Sequence, residues 1–211
     1  GVIAVREKNS CADLSDTIQI KTLPSPVAGM LDGSNIVCAG VNSSTLNLLS
    51  YSGVIGNWLA STDSTNWSVI PDLSPQYIAE NLNATTLYKV VVGKGTVCPP
   101  DTSSAAKITV DQKTVGGQID PANAILCDGQ TAGEILTLSG NTGSVQNWQY
   151  STDGINWTDL SPADATPAHT VKGITASTQY RLVDKNGVCP ADTSSVASIA
   201  FDPVAFPDAA T

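Results

Sequence analysis

The feature that most constrains this chain is a segment that occurs twice, at an offset of 90 residues. The clearer copy is Gln146–Trp157, and Gly56–Trp67 matches it at seven positions that include both tryptophans. Each copy is predicted to form two short strands joined by a polar turn. Gly154 supplies the residue that tolerates a positive φ in this turn, and Ser64 makes the equivalent turn a weaker version of it.

All four tryptophans of the chain lie in these two predicted hairpins. An isolated hairpin cannot shield two tryptophans from water, so the rest of each repeat must cover them. We therefore expect Trp58 and Trp148 to be core residues. Tyr88 and Tyr180, which lie on a later strand of each repeat, are expected to join the same cores.

The repeat divides the 211 residues into two domains, 23–111 and 112–202, each long enough to bury its own core. Residues 1–22 resemble the ends of both repeats. They are interpreted as the last strands of a preceding truncated repeat, or as an N-terminal hairpin. Residues 203–211 are interpreted as the start of a further repeat or as a C-terminal tail.

The composition favours strands and turns, because Thr, Ser, Val, Asn, Gly and Pro are abundant and no stretch of helix length has a 3.6-residue period. Each repeat contains about seven short strand signals separated by turn residues, which is typical of a sandwich. The predicted fold is all-β, with tandem immunoglobulin-like antiparallel β-sandwiches and one disulfide in each. Only four residues separate Val110 from Val115, so the junction is expected to fix the angle between neighbours.

The five cysteines follow the repeat. Cys38 and Cys98 are 60 residues apart, and Cys127 and Cys189 are 62 apart in the equivalent places. We therefore predict the disulfides Cys38–Cys98 and Cys127–Cys189, each stabilising its repeat by about 4 kcal/mol through loop closure. Cys11 is then either the second half of a bridge to an upstream repeat or a free thiol in a capping hairpin. Disulfides indicate export to an oxidising environment.

Charge excludes several classes of function. Only 14% of the residues are charged and the net charge is −9, so nucleic acid and anionic membrane surfaces are not expected partners. No apolar run of 18 residues is present, so no membrane insertion of this segment is expected.

No catalytic motif, phosphate-binding loop or cofactor motif occurs, so we predict a protein that is not an enzyme and uses no cofactor. His169, the only histidine, is expected in a solvated loop. Several aspartates could be considered for calcium, but no Asp-x-Asp-x-Asp loop is present, so they are predicted to be solvated turn residues and no metal site is expected. The aspartates in question are Asp101, Asp153, Asp159, Asp164 and Asp192.

One order of motifs recurs in both repeats: Cys-x-Gly at Cys38 or Cys-Asp-Gly at Cys127, then Leu-x-Leu, Asn-Trp, Ser-Thr-Asp-x-x-x-Trp, Thr-x-Tyr and a final cysteine. This order resembles the tandem repeats of SprB-type gliding-motility adhesins of the Bacteroidetes, over the whole chain. The resemblance implies export, attachment to the cell surface and a role in adhesion and gliding, with neighbouring repeats as partners. It implies no catalytic residues.

The predicted function is thus a structural or adhesive repeat segment of a large extracellular cell-surface adhesin or filament. One alternative is a pair of carbohydrate-binding modules from a secreted enzyme, in which Trp67 and Trp157 stack against the sugar rings of a polysaccharide. Another is a filament subunit that self-assembles by strand exchange, since strand addition satisfies open sheet edges.

Overall fold

The computed structural model describes residues 2–8, 13–19, 22–94, 98–128, 130 and 132–203. This described part consists of strands, turns and irregular segments without a helix, so the all-β prediction is confirmed. The chain forms two compact units, made of residues 1–33, 46–77 and 87–106, and of residues 34–45, 78–86 and 107–211. The second unit therefore includes three short segments of the first sequence repeat, residues 34–45, 78–86 and 107–111.

Twenty strands make up the part of the chain that the structure describes. The N-terminal segment contributes Val2–Lys8 (β1) and Asp13–Gln19 (β2), which pair in antiparallel fashion. The strands of the first repeat are Met30–Asp32 (β3), Asn35–Cys38 (β4), Ser43–Leu49 (β5), Val54–Ser61 (β6), Ser68–Ile70 (β7), Gln76–Glu80 (β8), Thr86–Lys94 (β9), Cys98–Thr102 (β10) and Ala106–Asp111 (β11). Those of the second repeat are Gln118–Asp120 (β12), Asn123–Cys127 (β13), Glu134–Ser139 (β14), Ser144–Ser151 (β15), Thr158–Asp159 (β16), Ala168–Val171 (β17), Thr178–Lys185 (β18), Asp192–Thr193 (β19) and Ala197–Asp202 (β20).

Each repeat has a larger and a smaller sheet. The strand orders are β4-β11-β9-β6-β7 and β3-β5-β8 in the first repeat, and β13-β20-β18-β15-β16 and β12-β14-β17 in the second. Strand β10 lies beside β9, and β19 lies beside β18. In each larger sheet, the strand that ends in a cysteine runs parallel to the last strand of the repeat, β4 with β11 and β13 with β20. The same topology is thus built twice.

Alternating burial explains why these segments form strands. Successive side chains of a strand point to opposite faces, so every second residue can face a core. In β18, Tyr180 and Leu182 are buried while their neighbours are more exposed. In β5, Leu46 and Leu48 follow the same two-residue period.

A continuous apolar core fills the second repeat, and Trp148 lies in it with its side chain fully buried. Its indole Nε1–H donates to the carbonyl of Thr166 at 2.9 Å, so burial leaves this polar group paired. Trp58 is equally buried, and its Nε1–H donates to the carbonyl of Ser74 at 2.9 Å. The remaining buried members of the second core are Ile119, Leu126, Leu136, Leu138, Val171, Tyr180, Leu182, Ala197 and Ile199.

Candidate functional site

The turn of each tryptophan hairpin is held by one aspartate. Asp153 Oδ1 accepts hydrogen bonds from the backbone N–H groups of Ile155 and Asn156, both at 2.8 Å. Its Oδ2 accepts the side-chain amide of Asn156 at 2.6 Å, and the Ser151 hydroxyl lies 2.9 Å from Oδ1. The amide of Asn156, followed by these backbone donors, holds the pKa of Asp153 far below its usual range. Both oxygens of the carboxylate are thus used in hydrogen bonds within the turn.

Asp63 makes the same bonds in the first repeat. Its Oδ1 accepts from the backbone of Thr65 and Asn66, and its Oδ2 accepts the Asn66 amide at 2.6 Å. The pKa of Asp63 is lowered for the same reasons, with the Asn66 side chain as the largest cause. The two turns also share a left-handed residue, Gly154 at φ 74° and Ser64 at φ 65°.

The second tryptophan of each hairpin is half-buried and lies under a cation. The guanidinium carbon of Arg181 is 4.1 Å from the ring centroid of Trp157. The Lys89 ammonium is 4.5 Å from the ring centroid of Trp67. Both distances are within the range of a cation–π interaction. One face of each indole is therefore covered by the protein's own side chain.

A chain of polar side chains positions Arg181. Its Nε–H donates to Gln149 Oε1 at 2.8 Å, and the amide of Gln149 donates to Asp159 Oδ1 at 2.8 Å. Asp159 was considered as a calcium ligand from the sequence. In the structure it accepts the hydrogen bond from Gln149 across the β15–β16 hairpin. Among the described residues, no group of three or more His, Cys, Asp or Glu is placed to hold a metal ion.

An open groove of 570 Å³ lies beside the Asp153 turn in the second repeat. It runs along β13 and β20 and is bordered by Thr152 and Gln179. The sequence analysis did not predict this groove, because β13 and the Asp153 turn are distant in the chain and come together only when the sheet forms.

His169 lies in strand β17 and not in a solvated loop, so the sequence prediction was wrong. Its ring stacks between Trp148 and Tyr180, with centroid distances of 5.4 and 5.7 Å. In the first repeat, Tyr77 holds the same place between Trp58 and Tyr88 at 5.4 and 5.6 Å. An alignment shifted from 90 to 92 residues after the hairpin matches His169 with Tyr77, and that signal could have found it.

Asp164 fixes the His169 ring. His169 Nδ1 lies 2.9 Å from Asp164 Oδ2, and the Thr166 hydroxyl bonds Asp164 Oδ1 at 2.6 Å. Partial burial opposes ionisation of Asp164, but the hydrogen bonds from Thr166 and His169 outweigh it and lower the pKa of the carboxyl. Burial raises the pKa of Tyr180, so its phenol stays protonated at neutral pH.

The cysteines pair differently from the prediction. The structure contains a disulfide between Cys38 and Cys189, whereas Cys98 and Cys127 are free thiols. The prediction placed each bridge within one repeat. In the structure Cys38 lies at the end of β4, beside the end of β11, where the chain enters the second repeat. Cys11 lies outside the described residues.

Both repeats match one known domain family. Residues 27–112 and 115–203 each match DUF8696, a domain of unknown function. The two matches cover most of the chain, so the protein belongs to this family and contains two of its domains in tandem. None of the curated proteins matches the chain.

One solved structure shares the fold at low sequence identity, and two others align less well. Immunoglobulin domains 1–4 of Sidekick-1 align at a TM-score of 0.52 and 10% identity, covering 95% of this chain and 58% of theirs. Domains 1–5 of the same protein give 0.46 and 14%, covering 84% and 38%. The fibronectin(III)-like modules of Clostridium thermocellum CbhA give 0.32 and 10%, covering 82% and 95%. This chain thus spans less than two thirds of either Sidekick-1 structure. The predicted tandem immunoglobulin-like fold is confirmed, except that the described residues contain one disulfide, Cys38–Cys189, instead of the expected two.

The described residues include no helix with the length and apolar character needed to cross a membrane.

Proposed function

We propose that the chain is a non-enzymatic structural and adhesive segment of a large secreted cell-surface adhesin or filament. The observation that carries this proposal is that two domains of one family follow each other with only two residues between the matched regions. A disulfide further links Cys38 of the first domain to Cys189 of the second. Tandem domains joined by short linkers suit a segment that holds a surface away from its anchor.

The disulfide also supports an extracellular location. Such bonds persist in oxidising compartments and are rare in the cytosol. The net charge of −9 keeps the segment away from anionic membranes and nucleic acid. The order of motifs resembles that of gliding-motility adhesins. This resemblance supports a role of the protein in surface attachment and gliding.

Surface location can be tested on the cells that produce the natural protein. Antibodies raised against this chain should label intact cells, and protease added outside should remove the label. An antibody against a cytosolic protein is the control for lysis. Labelling that appears only after the cells are permeabilised would rule out the proposed role.

Adhesion needs a separate measurement. Beads coated with the oxidised chain should be retained on a surface under flow at a shear that removes uncoated beads. Beads coated with the chain after reduction and unfolding are the matched control, since they carry the same composition without the fold. Equal retention of both kinds of bead would contradict an adhesive role for the folded repeats.

A second proposal is binding of surface polysaccharide at the tryptophan hairpins. The observation in its favour is that Trp67 and Trp157 are half-buried at matching places, each beside the turn of its hairpin. An indole face suits the apolar side of a sugar ring. A glycan array should then show binding that the double variant Trp67→Ala, Trp157→Ala loses. An unchanged array pattern with an intact fold would eliminate this proposal.

A further inference from the structure

The disulfide lies at the junction of the two repeats, inside the second compact unit. The Cα atoms of Cys38 and Cys189 are 4.8 Å apart, and Cys189 is 1% exposed. Cys189 Sγ lies 3.1 Å from the carbonyl oxygen of Gln112, the first residue after β11. The side chain of Asp111 accepts the backbone N–H of Val188 at 3.0 Å. The turn that carries Cys189 is therefore docked on the end of the first repeat.

Cys127 occupies the position of Cys38 in the second repeat. Cys38 ends β4 opposite Asp111 in the parallel pair β4–β11, and Cys127 ends β13 opposite Asp202 in the parallel pair β13–β20. The residue after each cysteine donates its backbone N–H to the carbonyl of that aspartate, at 2.9 and 2.8 Å. The backbone around the two cysteines is thus the same.

Cys98 likewise occupies the position of Cys189. Each follows the long strand of its larger sheet, β9 or β18. Cys98 begins the short strand β10 and Cys189 lies three residues before the short strand β19, and both short strands pair back onto the long strand. Five residues after each cysteine, Ser103 and Ser194 accept a backbone N–H of that long strand at 2.9 Å. Each repeat thus carries one cysteine of the Cys38 kind and one of the Cys189 kind.

The observed bond uses one cysteine of each kind and leaves Cys98 and Cys127 as half-buried thiols. We propose that these two thiols are the sites at which further copies of the same repeat attach covalently. Cys127 bonds the Cys189-type cysteine of a following copy, and Cys98 bonds the Cys38-type cysteine of a preceding copy. Such a head-to-tail contact can repeat from copy to copy, and it forms a linear array when the rotation between copies does not close a ring. The inference rests on cysteine geometry and holds whether or not the array is adhesive.

Bond formation is an oxidation. Two thiols lose two protons and two electrons as the S–S bond forms, and a small-molecule disulfide such as oxidised glutathione accepts them and becomes two thiols. The reaction passes through a mixed disulfide by thiol–disulfide exchange.

Two complementary variants test this with the full chain, in a Cys11→Ser background that removes the fifth cysteine. Cys98→Ser keeps only the Cys127 thiol, and Cys127→Ser keeps only the Cys98 thiol. Incubated with oxidised glutathione, each variant alone should stay mainly monomeric. Their mixture should form a dimer whose peptide map contains the Cys98–Cys127 link, and the parent with both thiols should form a ladder of multimers. Circular dichroism of each variant verifies the fold.

A second measurement raises the local concentration of the partner. A chain with an additional copy of residues 112–202 placed after Asp202 presents Cys127 with a following repeat in the same molecule. Cys127 should then be protected from alkylation and linked to the last cysteine of the added copy. An alkylatable Cys127 in this longer chain would overturn the proposal. So would Cys98–Cys98 and Cys127–Cys127 links as abundant as Cys98–Cys127, or a Cys98–Cys127 link within one molecule.

Discussion

Replacing Ser64 by glycine should stabilise the protein, because Ser64 holds a backbone conformation that glycine adopts freely. Its φ of 65° lies in the left-handed region, and the matching residue of the second repeat is Gly154 at 74°. A left-handed conformation costs a non-glycine residue about 1–2 kcal/mol. Glycine adds an entropy cost on folding of about 0.5–1 kcal/mol. The net gain expected for Ser64→Gly is therefore about 0.5–1 kcal/mol.

The reciprocal change, Gly154→Ser, should lose about the same amount, since it introduces the same conformational cost. A Cβ at Gly154 would meet only the end of the flexible Gln179 side chain at 3.0 Å, so crowding adds little. The double variant should thus return to within about 0.5 kcal/mol of the parent, as expected for distant sites.

Urea unfolding of the oxidised protein, followed by tryptophan fluorescence, measures these changes. Hydrogen exchange assigns them, because Ser64→Gly should increase protection in residues 54–70 and Gly154→Ser should decrease it in 144–159. Thr65→Gly is the matched control: Thr65 is not in the left-handed region, so glycine there should destabilise. A loss of stability in Ser64→Gly would refute the assignment of strain to this residue.

Three further outcomes are expected. Trp148→Ala should destabilise the second repeat by about 3–5 kcal/mol in urea unfolding, because it empties a fully buried site; a loss under about 1 kcal/mol would contradict that burial. Reducing Cys38–Cys189, which are 151 residues apart, should cost up to about 5 kcal/mol by loop entropy, seen as a lower urea midpoint with dithiothreitol and absent in a Cys38→Ser, Cys189→Ser variant. Since the pKa of Asp164 is lowered in the folded state, its ionised form contributes stability above the unfolded pKa of about 3.9, and this is lost as pH falls through the folded pKa. Asp164→Asn should therefore be less stable than the parent at pH 6, and the difference should shrink towards pH 3; a difference independent of pH would show that the hydrogen bonds to His169 and Thr166 do not depend on the charge.

Much of the repeat could be read from local residue chemistry. The hairpin turns follow from an aspartate that bonds its own backbone and from a residue at positive φ, which are properties of a few neighbouring residues. The burial of Trp58 and Trp148 follows from their apolar area, because no short hairpin can cover an indole by itself.

Pairwise contacts between distant segments could not be read in this way. The cations above Trp67 and Trp157 come from β9 and β18, whose register against the hairpin strands places Lys89 and Arg181 over the rings. The prediction for His169 was wrong because two extra residues in the second repeat shift the alignment, so a constant offset of 90 residues hides its equivalence with Tyr77.

Repetition, turn residues and strand periodicity are encoded locally, so the amino-acid sequence predicts one β-rich unit built twice. Which cysteines form a disulfide depends on the folded arrangement of distant segments. The similar spacings of Cys38–Cys98 and Cys127–Cys189 indicate that the repeats are equivalent. They do not show whether a disulfide forms within one repeat or between two. The parallel pairing of β4 with β11 places Cys38 where the chain enters the next repeat, and Cys189 is docked there. A covalent bond requires sulfur atoms in contact, and contact is a property of the folded chain.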